Sequence, residues 1–174
     1  MSRIIFLVPI IYYLHLGAIN PHYNLNALIL MFIGALTDTL DGQLARRLHQ
    51  VTEVGKIIDP IADKIGIAVI LIYLAVTRGD FPTWFVLFAF ARDIVIFVVG
   101  LYVKKKYNYI FMSNMLGKVT VTVMALTILV YTVKDLYYLE IFFQFCLWSS
   151  VVLLIASSVS YAIRLASFIR GQRA

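Results

Sequence analysis

Between residues 38 and 63 the chain sets four carboxylates, Asp38, Asp41, Asp59 and Asp63, inside or beside otherwise apolar segments. An unpartnered charge in an apolar medium costs several kcal/mol, so such groups must be paired, solvated or bound to a metal. Their spacing is ordered. On a helix Asp38 and Asp41 share a face with Gly42 and Ala45 beside them, and Gly55, Asp59 and Asp63 form a second stripe at i, i+4 and i+8. If the polar run from Arg46 to Glu53 is the turn of a helical hairpin, Asp38 and Asp63 lie at similar distances from its tip, with Asp41 and Asp59 as a shallower pair. Like charges that close raise one another's pKa unless a cation sits between them, and hard oxygen donors favour Mg2+, Mn2+ or Ca2+ over zinc. The chemistry is that of a one- or two-metal site. The competing readings are ion pairs with Lys56, Lys64 or Arg92, and a cation pathway in a small transporter.

The elements that must position these residues are membrane helices. Hydrophobic residues make up 62% of the 174 positions, and the mean hydropathy is +0.91; soluble proteins hold roughly 45–50% apolar residues. The expected fold is all-α, an integral membrane protein with six transmembrane helices in a single domain over residues 1–174. The first helix covers Ile4 to Leu16, an apolar run after Arg3 that also resembles the start of a signal peptide but lacks an A-x-A-like cleavage site. The second runs from about Leu25 to Leu48, and the third from Gly55 or Asp59 to about Val76. Pro60 suits a first helical turn and would kink a helix if it lay deeper. Trp84 to Val103, Ser113 to Val133 and Tyr138 to Phe168 complete the set.

Charge supports this topology. Arg3, Arg46, Arg47, Lys56, Lys104, Lys105, Lys106, Arg164, Arg170 and Arg173 fall at one side of the six spans, and the opposite loops hold Arg78 and Lys134. By the positive-inside rule the first side is cytoplasmic, so both termini and the acidic site face the cytoplasm. The net charge of +6 is therefore topological. Its cations cap apolar runs and make no base-stacking surface, which argues against a nucleic-acid partner. Tyr12, Tyr13, Trp84, Tyr102 and Tyr107 suit the membrane interface. Cys146, the one cysteine, excludes an intrachain disulfide, and His15, His22 and His49 lack metal-ligand spacing.

The residues Asp38, Asp41, Gly42, Ala45, Arg46, Gly55, Asp59 and Asp63 fit D-x2-D-G-x2-A-R-x8-G-x3-D-x3-D without a gap. In this the chain resembles the CDP-alcohol phosphotransferases. The likeness extends to D-P-x-A-D-K at Asp59 to Lys64, to A-R-D at Ala91 to Asp93 and to G-K at Lys118. It implies transfer of a phosphatidyl group from CDP-diacylglycerol to an alcohol, with release of CMP, by a homodimer in the cell membrane. Asp38, Asp41, Asp59 and Asp63 would hold divalent metal, two ions of Mg2+ or Mn2+, and Asp63 would be the general base. Gly42, Ala45, Arg46 and Gly55 would bind the nucleotide. Arg92 and Lys118 are the candidates for acceptor binding.

Most of the chain resembles phosphatidylglycerophosphate synthases and, nearly as well, cardiolipin synthases of the same family. The leading acceptor is glycerol 3-phosphate and the alternative is phosphatidylglycerol. Synthases of the first group carry a basic residue seven positions after A-R-[DE] and a second lysine in G-K-x-K-T. Gly100 and Thr120 stand at those places here.

Overall fold

The computed structural model describes residues 2–47, 53–107 and 115–171, with side chains for 6–37, 65–107 and 115–170. Among the described residues there are six helices and no strand: α1 (Ser2–Ile19), α2 (His22–Arg47), α3 (Glu53–Thr77), α4 (Thr83–Tyr107), α5 (Met115–Tyr137) and α6 (Glu140–Gly171). The all-α expectation holds. Of these, α4, α5 and the stretch Glu140–Arg170 of α6 are long and apolar enough to cross a membrane. The apolar stretches described in the other three, Phe6–Ile19, His22–Thr37 and Ile65–Thr77, are shorter. Helix α3 begins before Gly55, so Pro60 lies beyond its first turn and one backbone rung is missing there. The expected start of the fifth helix at Ser113 lies outside the described residues.

The chain divides into two units. One comprises Met1–Phe81 with Ile128–Glu140. Its first element is an antiparallel hairpin of α1 and α2, turned at Asn20 and Pro21. The Asn20 side chain accepts from the His22 amide at 3.1 Å, and the Asn20 and Pro21 carbonyls accept from the Tyr23 and Asn24 amides at 3.1 and 3.0 Å. These bonds satisfy donors that a helix start leaves open. Beside the turn the two helices nearly touch. A Cβ on Gly17 would overlap Asn24 Oδ1, and Asn24 is buried. Arg78, just past α3, donates through Nη2 to the same Oδ1 at 3.2 Å and to the Leu14 carbonyl at 3.0 Å. One guanidinium thus ties three helices together.

The α5–α6 corner closes this unit. Tyr138 has φ of 54°, and the Leu139 amide donates to the Lys134 carbonyl at 2.9 Å. A left-handed residue followed by that bond is the usual way to satisfy carbonyls at a helix C-terminus.

The second unit comprises Pro82–Thr127 with Ile141–Ala174. Trp84 packs on Trp148 at 5.9 Å, Arg92 donates to Ser157 at 2.8 Å, and Tyr107 meets Phe168 edge-on at 5.6 Å. These pairs advance together, so α4 and α6 run parallel. Helix α5 runs against them: Thr127 Oγ1 meets Ser150 Oγ at 2.9 Å, and Thr120 Oγ1 reaches the Leu153 carbonyl at 3.3 Å. Thr120, Thr127, Ser150 and Ser157 are fully buried. Outside, Leu87, Ile94, Phe97 and Leu101 of α4 and Phe145, Val152 and Ile163 of α6 are each more than half exposed. Small hydroxyl residues between helices and large apolar ones outside form the pattern that hydrocarbon solvent selects.

The Gly17 contact makes a measurable claim. Gly17→Ala must push Asn24 off Arg78, and overpacking of this kind costs about 1–3 kcal/mol. Thermal unfolding of the purified protein should show a clear fall in Tm. Gly100, with no atom within 4 Å of its would-be Cβ, is the control: Gly100→Ala should hold or raise Tm, by about 0.5–1 kcal/mol from helix propensity.

Candidate active site

Helix α2 carries Asp38, Asp41, Gly42, Ala45 and Arg46 in its last turns, and α3 carries Gly55, Asp59 and Asp63 in its first. Helical backbone on both sides makes the i, i+3 and i, i+4 spacings real faces, with Asp38 and Asp41 on one and Gly55, Asp59 and Asp63 on the other. Both helices belong to the same unit. The side chains of these eight residues lie outside the described ones, as does the backbone of residues 48–52, where the hairpin turn was expected.

The acceptor candidates belong to the second unit. The Arg92 side chain is 9% exposed. Nη1 pairs with Asp93 Oδ1 at 2.6 Å, Nη2 donates to Ser157 Oγ at 2.8 Å, and the guanidinium lies 5.9 Å from the centre of the Tyr161 ring. Its Nε has no hydrogen-bond partner among the described residues. A buried donor left open is uncommon, and Arg78 Nε is a second case among the described residues. Lys118, near the start of α5, is exposed. Thr120 donates to the Leu116 carbonyl at 2.7 Å and is buried, so its place is filled by helix packing. Gly100 leaves open space on α4.

A second polar centre was not foreseen. Lys134, expected only as a loop charge, is 9% exposed at the end of α5. Its Nζ lies 2.9 Å from Asp80 Oδ2, 2.8 Å from Glu140 Oε2 and 3.7 Å from Asp135 Oδ1. Tyr131 donates to Asp80 Oδ1 at 2.7 Å and packs edge-on against buried Phe81 at 4.7 Å. One ammonium therefore joins the α3–α4 loop, the end of α5 and the first turn of α6, where Glu140 also suits the helix dipole. Only Lys134, Asp135 and Glu140 are close in sequence; Asp80 arrives through the fold. Partial burial pushes the Asp80 carboxyl up, but the hydrogen bonds from Lys134 and Tyr131 and the lysine charge outweigh it. The net pKa is below the usual carboxylate range.

With this arrangement on hand, comparison with known proteins assigns the chain. The CDP-alcohol phosphatidyltransferase family matches residues 1–158, and the chain belongs to that family. It is 31% identical over 169 residues to the CDP-diacylglycerol–glycerol-3-phosphate 3-phosphatidyltransferase of Aquifex aeolicus, covering 94% of this chain and 91% of that protein. The Bacillus subtilis protein of the same name is 31% identical over 144 residues, 81% of this chain and 74% of that one. A CMP-forming cardiolipin synthase of Streptomyces coelicolor is 36% identical over 73 residues, 42% of this chain and 34% of that one. The chain is thus a transferase of phospholipid synthesis, and the transporter reading of its aspartates gives way.

The Lys134 centre predicts how stability follows pH. Asp80 has a folded pKa below its unfolded value of about 3.9, so its contribution is present above that value and is lost as pH falls through the depressed one. Asp80→Asn should lower Tm at pH 7 by the equivalent of about 1 kcal/mol, the figure for a half-exposed pair. The gap between variant and parent should narrow on acidification below about pH 4. A gap independent of pH would contradict the assignment.

Proposed function

We propose that this protein transfers the phosphatidyl group of CDP-diacylglycerol to glycerol 3-phosphate, releasing CMP, at a site built on the facing ends of α2 and α3. The observation that carries the proposal is the eight-residue acidic motif divided between the last turns of α2 and the first turns of α3. Similarity to the Aquifex aeolicus protein over nearly the whole chain supports the acceptor. In this reading residues 1–174 form one domain of six membrane spans, with both termini and the site on the cytoplasmic side, acting as a homodimer.

The donor set of four carboxylates, all hard oxygen ligands, fits Mg2+ or Mn2+. Asp38, Asp41, Asp59 and Asp63 would hold the ions, two in number. When bound, such ions neutralise diphosphate oxygens and stabilise the leaving nucleotide. The remaining work belongs to the protein. Asp63 takes the proton of the acceptor hydroxyl as its oxygen bonds to the phosphatidyl phosphorus. The bond from that phosphorus to the bridging oxygen breaks, and CMP departs with the electron pair. Arg46 offers a guanidinium fork matched to phosphate oxygens. Gly42, Ala45 and Gly55 let the cytidine approach the helix backbones. The open Nε of Arg92 and the exposed ammonium of Lys118 suit an anionic acceptor.

A second acceptor deserves a place in the test. Gly100 and Thr120 supply no cation where phosphatidylglycerophosphate synthases carry one, which weakens glycerol 3-phosphate and keeps phosphatidylglycerol as the alternative.

The test is CMP release by purified protein given CDP-diacylglycerol and Mg2+ or Mn2+, with glycerol 3-phosphate, phosphatidylglycerol, inositol phosphate or serine. Release is expected with glycerol 3-phosphate. Release with phosphatidylglycerol alone would move the assignment to cardiolipin synthesis, and silence with folded protein would overturn the transferase reading. Asp63→Asn should lower turnover by about 10²-fold or more, the range for loss of a general base, while metal-dependent donor binding persists. Asp59→Asn should instead shift the half-saturating Mg2+ or Mn2+ concentration upward by about tenfold or more; an unchanged titration removes Asp59 from the ligand set.

A further inference from the structure

At the shared C-terminal ends of α4 and α6 the surface changes from apolar to strongly basic. Lys104, Lys105 and Lys106 close α4, and all three are exposed. Lys106 Nζ is held between two tyrosines, 3.2 Å from the Tyr102 hydroxyl and 5.6 and 5.4 Å from the centres of the Tyr102 and Tyr107 rings. The Tyr107 ring rests edge-on against Phe168 at 5.6 Å, which brings α6 alongside. Arg164, one turn before Phe168 on the same helix face, and Arg170, just beyond it, are both exposed. Neither 94–107 nor 141–171 contains an acidic residue. The positive charge therefore has no carboxylate within either of these segments to neutralise it.

We propose that this end of α4 and α6 is a docking surface for the headgroups of anionic phospholipids. Three features select that partner. The patch closes two helices that are long and apolar enough to cross a membrane, so in a bilayer it falls at the depth of lipid phosphates. Aromatic rings sit among the cations, as interfacial anchors do. Clustered lysines and arginines beside a span draw anionic lipid. A role limited to capping helix dipoles would need cations in the last turns, but would give no preference among lipids. The proposal rests on the membrane reading and is independent of the reaction, so it stands or falls without CDP-diacylglycerol.

The experiment uses the full-length protein in phosphatidylcholine vesicles containing a trace of spin-labelled phosphatidylglycerol or spin-labelled phosphatidylcholine. The fraction of each label immobilised at the protein surface gives the lipid preference. The expected result is a phosphatidylglycerol preference of about threefold or more at low salt, which falls as salt screens it. K104Q/K105Q/K106Q with R164Q should lose at least half of that preference, and K104R/K105R/K106R should keep it. If the four-residue variant fails to fold, K104Q/K105Q alone serves, with a smaller loss expected. Equal preference in parent and charge-removed variants would overturn the proposal. So would displacement of the lipid by millimolar inorganic phosphate, because the patch would then be a site for free phosphate.

Discussion

A charge within an apolar helix bundle must find a partner, and much of this structure is arranged around that requirement. Lys134 finds Asp80, Glu140 and Asp135. Arg92 finds Asp93 and Ser157, and Arg78 finds a carbonyl of α1 and a side chain of α2. In each case the cation is shielded and its partners come from more than one stretch of chain, so satisfying the charge also fixes a helix against its neighbours. Breaking such a contact leaves a shielded ion without compensation, which is far worse than never having had it.

The same solvent argument explains the hydroxyl contacts inside the second unit. Lipid tails are as apolar as leucine, so burying leucine between helices gains little in a membrane. Close backbone approach and hydroxyl bonds gain more. Thr127 with Ser150, and Thr120 with the Leu153 carbonyl, make such bonds beside buried apolar side chains such as Phe85, Phe143 and Leu154. Large residues such as Leu87 and Phe145 face outward.

The acidic motif is a different answer to the same constraint. Four carboxylates are divided between two helices, and in the proposed reaction that charge would serve phosphoryl transfer. In the proposed lipid-docking surface, basic residues at the C-terminal ends of α4 and α6 meet anionic lipid. Both substrates in the proposed reaction are anionic, so a membrane surface rich in exposed cations suits their approach as well.

Local pattern alone was enough for the helical class, the approximate positions of the helices and the family. Apolar runs bounded by charges announce membrane helices, and a motif of eight spaced residues survives without any knowledge of packing. The backbone supports the two aspartate stripes as helix faces, though their side chains lie outside the described residues. Tertiary structure alone decided the rest. Asp80 and Lys134 are 54 positions apart in the sequence, and nothing local to either says they meet. Arg78 looked like a loop cation until Gly17 let α2 approach closely enough for Asn24 to receive it. The parallel course of α4 and α6, which sets Lys106 beside Phe168's neighbours, likewise depends on how α5 folds back. Periodicity records which medium a residue faces; only the assembled helices determine which partner it finds there, because partner choice depends on distances that the order of residues does not contain.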